Sequence, residues 1–188
     1  MSPFAALDEH VRPHADSAAL LTIDVQVDFT APEGNATIPG TAASVPAMRR
    51  LVEGFREATR PVVHAVRLYR RDASNVDRCR RRGIEDGEHV VSPDSEGANL
   101  VDGLTPAPTV LEADSLLDGD FQELAPGEYA MYKPRWSAFY WTPLADHLDE
   151  WDVDTVVVCG CNFPNCPRTT VLDGSQRDFP LWFLPEVT

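Results

Sequence analysis

The sequence predicts an α/β protein, a three-layer α/β/α sandwich built on an open, mostly parallel, Rossmann-like sheet. Three observations carry that expectation: a short apolar run that ends in a carboxylate at Asp24, a strand-helix-strand alternation that follows it, and a β-branched run from Asp154 to Gly160. Short continuous apolar runs suit strands covered on both faces, the condition of a parallel sheet between helices. Ala19-Leu20-Leu21-Thr22-Ile23-Asp24 is the first strand. Between Thr41 and Thr59, Val45, Met48, Leu51, Val52 and Phe55 fall at helical spacing, with Thr41 or Ser44 as N-cap. Pro61 to Arg67 is the second strand, so the unit is a right-handed crossover between parallel strands. Ala130-Met131-Tyr132 reads as a strand end, and Thr155 to Cys159 as the clearest buried strand. A helix from Pro167 to about Arg177 and a last strand from Phe179 to Leu184 complete the alternation.

The stretch 70–127 breaks this pattern. Asp, Glu, Gly and Pro dominate it without sustained period, which predicts an irregular lid or interface segment, with at most a short helix between Glu112 and Leu124. The expected organisation is one domain over 1–188, with 1–17 as an N-terminal extension.

Composition narrows the function. Apolar residues make up 43% and charged residues 24%, a globular balance, and no apolar run is long enough for a membrane span. The first residues have neither a basic region nor an apolar core like those of a signal peptide, so a cytoplasmic location with reduced thiols is expected. A net charge of −14 argues against nucleic acid and anionic membranes as partners and leaves a small-molecule substrate. Against that charge, seven arginines cluster between Arg67 and Arg82, either a solvated loop or an anion-attracting rim beside a site. Lys133 is the only lysine, which suggests a place that needs a compact ammonium.

In an open parallel sheet ligands sit beyond the carboxyl ends of the strands. Asp24 ends the first strand and Lys133 follows Tyr132. Three of the four cysteines lie in Val158-Cys159-Gly160-Cys161-Asn162-Phe163-Pro164-Asn165-Cys166-Pro167. Zinc ligands come in spaced pairs with further Cys or His, and Cys159-Gly160-Cys161 has neither that spacing nor a nearby histidine. A disulfide is disfavoured where thiols are kept reduced. Cys159 reads as core, Cys161 as structural, and Cys79 between two arginines as a thiol without a role. Cys166 remains as a candidate nucleophile: Pro167 suits a first helical position, so the thiol sits where a helix N-terminus favours its thiolate.

Three ordered blocks, Leu21-Thr22-Ile23-Asp24-Val25-Gln26-Val27-Asp28-Phe29, Tyr132-Lys133-Pro134-Arg135-Trp136-Ser137-Ala138-Phe139, and Cys159 through Cys166 with Thr170, resemble the signatures of the isochorismatase-like cysteine hydrolases. The resemblance covers about 18–188 and implies the fold already derived, a Cys166-Asp24-Lys133 triad and homo-oligomers. It implies an oxyanion hole from the backbone N–H groups of Asn162 and Cys166, with a cis peptide between Cys161 and Asn162. Phe29, Trp136, Phe139 and Phe163 become candidate pocket walls, Gln26 and Arg135 candidate polar contacts, and Arg168 a residue facing either a substrate carboxylate or the surface.

Departures from the family pattern refine this. Nicotinamidases carry Asp-x-His and a further His as a metal site after the second strand, where this chain reads His64-Ala65-Val66-Arg67; no metal and no cofactor are expected. Phe163-Pro164 replaces a Thr-Asn pair found in many relatives. The chain ends where relatives usually add a helix and strand, so an exposed edge or a partner is expected there. The resulting expectation is a metal-independent cysteine hydrolase of a small amide or ureido C–N bond. Alternatives are an isochorismatase-type vinyl ether hydrolase that uses Asp24 as acid without the cysteine, and a catalytically silent binding subunit.

Overall fold

The computed structural model describes residues 7–107, 109–184 and 187. Six strands form one sheet: β1 (Ala18–Ile23), β2 (Val62–Val66), β3 (Phe121–Ala125), β4 (Glu128–Tyr132), β5 (Thr155–Gly160) and β6 (Leu181–Phe183), in the order β3-β4-β2-β1-β5-β6. Every neighbouring pair is parallel except β3 with β4. The helices are α1 (Val27–Thr30), α2 (Thr41–Glu57), α3 (Arg78–Glu85), α4 (Ala113–Asp118), α5 (Leu144–Glu150) and α6 (Cys166–Ser175). Among the described residues, none of them is long and apolar enough to cross a membrane.

The continuous apolar runs are buried on both faces, as a sheet between helices requires. Leu20, Val62 and Val157 pack with Met48 and Val52 of α2 on one side. On the other, Leu21, Ile23, Val63 and Val158 pack with Leu144 and Leu148 of α5 and with Phe139. Each side chain in β1 and β5 thus enters one of two cores by the period of a strand.

Two sequence expectations change. Helix α2 starts at Thr41 with neither Thr41 nor Ser44 as its cap; Gly40 precedes it at φ +92°, and no side chain caps it. Glycine reaches that left-handed conformation without a Cβ clash, so the chain turns into the helix there. The stretch 70–127 carries α3, α4 and β3 between long turns. Hydrogen bonds to side chains fix it rather than apolar period: Asp28 Oδ2 accepts from the Val91 N–H at 2.6 Å, and Asn75 Nδ2 donates to the Leu68 carbonyl at 2.8 Å.

A polar chain runs through the first core. Thr22 Oγ1 lies 2.7 Å from His64 Nδ1, His64 Nε2 lies 2.9 Å from Glu128 Oε1, and Arg56 holds Glu128 with two bonds of 2.6 and 2.7 Å. Burial lowers the His64 pKa. Against its own desolvation, Glu128 is brought down from 4.5 to about 2 by hydrogen bonds from Arg56 and His64. A depressed carboxylate contributes stability above its unfolded pKa and loses it as pH falls toward the folded value. Stability from Glu128 should therefore be complete above pH 4.5 and drain away between 4.5 and about 2. In urea denaturation across that window, Glu128→Gln should be less stable than the parent at neutral pH and should show a shallower acid loss. A parallel loss in both proteins would refute this account.

Candidate active site

The strand order decides the site. Leaving β1, one side of the sheet holds β2 and β4 and the other holds β5, so the topological switch point lies between β1 and β5. Asp24 follows β1, Cys166 follows the turn after β5, and Lys133 follows β4. The carboxyl end of β2 lies between those of β4 and β1, and Arg67 occupies it.

Local structure sets each side chain. Asp24 is a non-glycine residue at φ +55°, its N–H bonded to the Ala65 carbonyl at 3.0 Å and its carbonyl 3.0 Å from Cys161 Sγ. Left-handed backbone at a non-glycine residue persists where surrounding bonds enforce it. Gly160, at φ +117°, ends β5 so close to β1 that a Cβ there would stand 2.2 Å from the Ile23 carbonyl oxygen. Beyond it comes a cis peptide between Cys161 and Asn162, as the family resemblance implied. The turn delivers Cys166 as the first residue of α6. Thr170, fully buried, donates to the Cys166 carbonyl at 2.8 Å and accepts from the Ala138 N–H at 3.0 Å, tying α6 to the Lys133–Phe139 loop.

Lys133 is 0% exposed, Cys166 4% and Asp24 5%. Lys133 Nζ stands 2.9 Å from both Asp24 oxygens and 3.4 Å from the Arg135 carbonyl. Asp24 Oδ1 has no hydrogen-bond partner among the described residues, and the charge of Asp24 acts on the Cys166 thiol. Burial and the Asp24 charge push the Cys166 thiol up to about 11, with Lys133 and Arg67 pulling the other way. Cys166 is thus held as a thiol rather than the thiolate expected at a helix N-terminus, because desolvation and the Asp24 charge both favour its protonated form. Burial alone raises Cys159 to about 12, and burial first raises Cys161 as well. Cys79 is exposed, so a bulky reagent meets it before Cys166. Within the described residues, the Asn162 and Cys166 backbone N–H groups have no acceptor in the fold.

Sequence reasoning missed Arg67. It is 1% exposed, far from the solvated loop one reading gave it: Nη1 bonds Asp77 Oδ2 at 2.9 Å and Nη2 lies 4.0 Å from Cys166 Sγ. Against the burial that would lower its pKa, Tyr69, Asp24, Cys166 and Asp77 keep it charged. The strand-end rule that found Asp24 and Lys133 would have found it at the end of Pro61 to Arg67.

Two of the expected pocket residues are corrected. Gln26 is fully buried, its Nε2 donating to the Arg67 and Ala98 carbonyls at 2.8 and 2.6 Å and its Oε1 accepting from the Arg67 N–H at 2.8 Å. With those groups engaged it clamps Arg67 rather than lining a pocket. Phe139 is buried against Phe179 with ring centroids 5.7 Å apart, and is core. Of the others, Phe29 lines a cavity of about 360 Å³ with Tyr69 and Arg80. Arg135 and Trp136 line a cleft of about 880 Å³ with Asp77 and Cys79. Helix α3 contributes to both. Phe163 stacks on Phe183 of β6 at 4.3 Å. Arg168 is exposed and donates to the Pro164 carbonyl. A nicotinamidase-type metal does not fit: His64 is engaged by Thr22 and Glu128, and among the described residues no three His, Cys, Asp or Glu side chains group as ligands.

An open parallel α/β sheet with an acid, an amine and a thiol gathered at its switch point defines a hydrolase-like class of protein. Residues 18–187 match the isochorismatase domain model, and the chain belongs to the isochorismatase family. It is 33% identical to a probable inactive nicotinamidase of Arabidopsis thaliana, covering 87% of this chain and 76% of that protein. It is 31% identical to maleamate amidohydrolase of Pseudomonas putida, covering 86% and 67%, and 30% identical to N-carbamoylsarcosine amidase of an Arthrobacter species, covering 88% and 57%. An isochorismatase family protein of Desulfovibrio vulgaris superposes with a TM-score of 0.78 at 30% identity, over 91% of this chain and 80% of that one.

Proposed function

We propose that the protein is a metal-independent cysteine hydrolase of a small amide or ureido compound, with Cys166 as nucleophile, Asp24 as general base and acid, and Lys133 as their electrostatic partner. The observation that carries this reading is the buried Asp24-Lys133 ion pair, 2.9 Å apart, whose charges act on the Cys166 thiol near the sheet's switch point. Amidohydrolases among the relatives support it at the level of reaction class.

Sulfur attacks the carbonyl carbon while the thiol proton passes to Asp24, so a free thiolate never has to persist in the buried site. The carbonyl oxygen takes the displaced electron pair and is met by the N–H groups of Asn162 and Cys166, donors without acceptors among the described residues. Asp24 returns the proton to the departing nitrogen as the C–N bond breaks, leaving a thioester on Cys166. Water then attacks the thioester, Asp24 takes its proton, and the tetrahedral species expels the sulfur, which recovers the proton as the acid leaves. Lys133, hydrogen-bonded to Asp24 Oδ2 and 2.9 Å from Oδ1, holds Asp24 in place and balances its charge.

Turnover of small amides and ureas, read as ammonia release, should be accompanied on rapid acid quench by an acyl adduct on Cys166, visible by mass and discharged by hydroxylamine. Turnover with no adduct, on a site that survives loss of the sulfur, would overturn the mechanism. The relative described as probable inactive, together with a thiol only 4% exposed, favours a second reading as a silent binding subunit. No ammonia release and no adduct across the panel would select that reading.

A further inference from the structure

We propose that Arg80, backed by Arg67, is a specificity-determining residue of this site and holds a carboxylate on the acyl part of the substrate, a few bonds from the scissile carbonyl. The inference rests on Cys166 being the nucleophile.

Charge around the sulfur is the starting observation. In a chain of net charge −14, Arg67 reaches the sulfur and Lys133 pairs with Asp24, while Arg80 and Arg135 connect to Arg67 through Tyr69 and Asp77. Lys133 is matched by Asp24. Arg67 and the more distant Arg135, at 4.0 Å, share Asp77. Arg80 has no carboxylate partner within ion-pair distance among the described residues. Among the described residues its one side-chain hydrogen bond is a long 3.5 Å contact to the Tyr69 hydroxyl, which itself donates to Asp77 at 3.0 Å. Its guanidinium lies 5.9 Å from the centroid of the Phe29 ring, and the residue is half-buried. Glu88 lines the same cavity but is exposed and makes no ion pair with Arg80.

A half-buried cation over an aromatic face, without a counter-ion, is a ready partner for an anion, since a guanidinium binds a carboxylate through two parallel bonds. Arg67 extends the positive field to the sulfur itself: its Nη2 is 4.0 Å from Cys166 Sγ and its buried Nε has no partner among the described residues. In this proposal a substrate whose carbonyl carbon touches the sulfur directs its carboxylate past Arg67 toward Arg80, which joins Arg67 through Tyr69 and Asp77. The same cations could instead serve only to stabilise a thiolate, and the two roles differ in what they do to charged and neutral reagents.

The test uses the whole protein carrying Cys79→Ser, so that the exposed thiol does not compete, and needs no turnover. Iodoacetate and iodoacetamide transfer nearly the same group to sulfur, one as an anion and one neutral, and charge repulsion makes the neutral reagent faster on a free thiolate such as glutathione. On Cys166 the preference for iodoacetate, relative to glutathione, should rise by about 10- to 100-fold, the range of one hydrogen bond to a charged group. Arg80→Gln should return the ratio to that of glutathione, and Arg80→Lys should keep part of it. On the unaltered arginine, malonate should slow modification by iodoacetate where malonamide does not, a readout that survives if the glutamine variant fails to fold. A wild-type ratio equal to that of glutathione, equal slowing of both reagents by Arg80→Gln, or no protection by malonate overturns the carboxylate subsite while leaving the nucleophile intact. A Cys166 inert to both reagents overturns the nucleophile, and the subsite with it.

Discussion

Cys166→Ala is expected to reduce ammonia release from any amide the protein turns over by at least about 1,000-fold, the scale on which removing a covalent nucleophile acts when the rest of the site survives. The fold should not suffer in proportion. Cys166 is the first residue of α6, and its carbonyl, which binds Thr170, is unchanged by the substitution. Truncating a small, almost fully buried thiol costs stability on the order of 1 kcal/mol. A large loss of activity with little change in urea midpoint therefore isolates chemistry from folding. The variant also separates the mechanisms: hydrolysis of a vinyl ether proceeds by protonation from Asp24 and needs no sulfur. Retention of activity toward a vinyl ether in Cys166→Ala would select that reading and discard the thioester.

Lys133→Met should be the most destabilising single change at the site. The residue is 0% exposed, with its ammonium 2.9 Å from both Asp24 oxygens, so its loss leaves a buried acid without its cation. Breaking a buried ion pair in this way costs about 3–5 kcal/mol, whereas removing both charges is much milder. Adding Asp24→Asn to Lys133→Met should therefore recover most of the lost stability. Activity should stay absent in the double variant, because the proton acceptor is gone. Denaturant midpoints of the two single variants and the double variant check this, and additive losses would show that the pair is not coupled. The coupling also accounts for the chain's only lysine, since a planar guanidinium is wider than the ammonium that now meets one carboxylate within 2.9 Å.

Much of the fold was legible because it depends on period and composition. The β-branched run from Thr155 to Cys159 and the helical spacing from Val45 to Phe55 each state their own structure, and both are where the sequence puts them. The antiparallel edge strand β3 was not legible: Phe121–Ala125 is only partly buried, so it lacks the apolar signature of the inner strands. Nor was the order of the elements between 70 and 127, where single hydrogen bonds such as Asp28 to Val91 do what apolar spacing does elsewhere.

The sequence by itself determined the kind of sheet and pointed to Asp24 and Lys133 after strand ends and Cys166 at the start of the helix beyond β5, because strand period and chain punctuation are local properties. Tertiary structure alone decided that β2 lies between β4 and β1, and hence that Arg67 rather than Gln26 faces the sulfur. It also decided that Phe139 is core and that the thiol rests protonated. Those outcomes depend on distance and burial between segments far apart in the chain, quantities that no local pattern encodes.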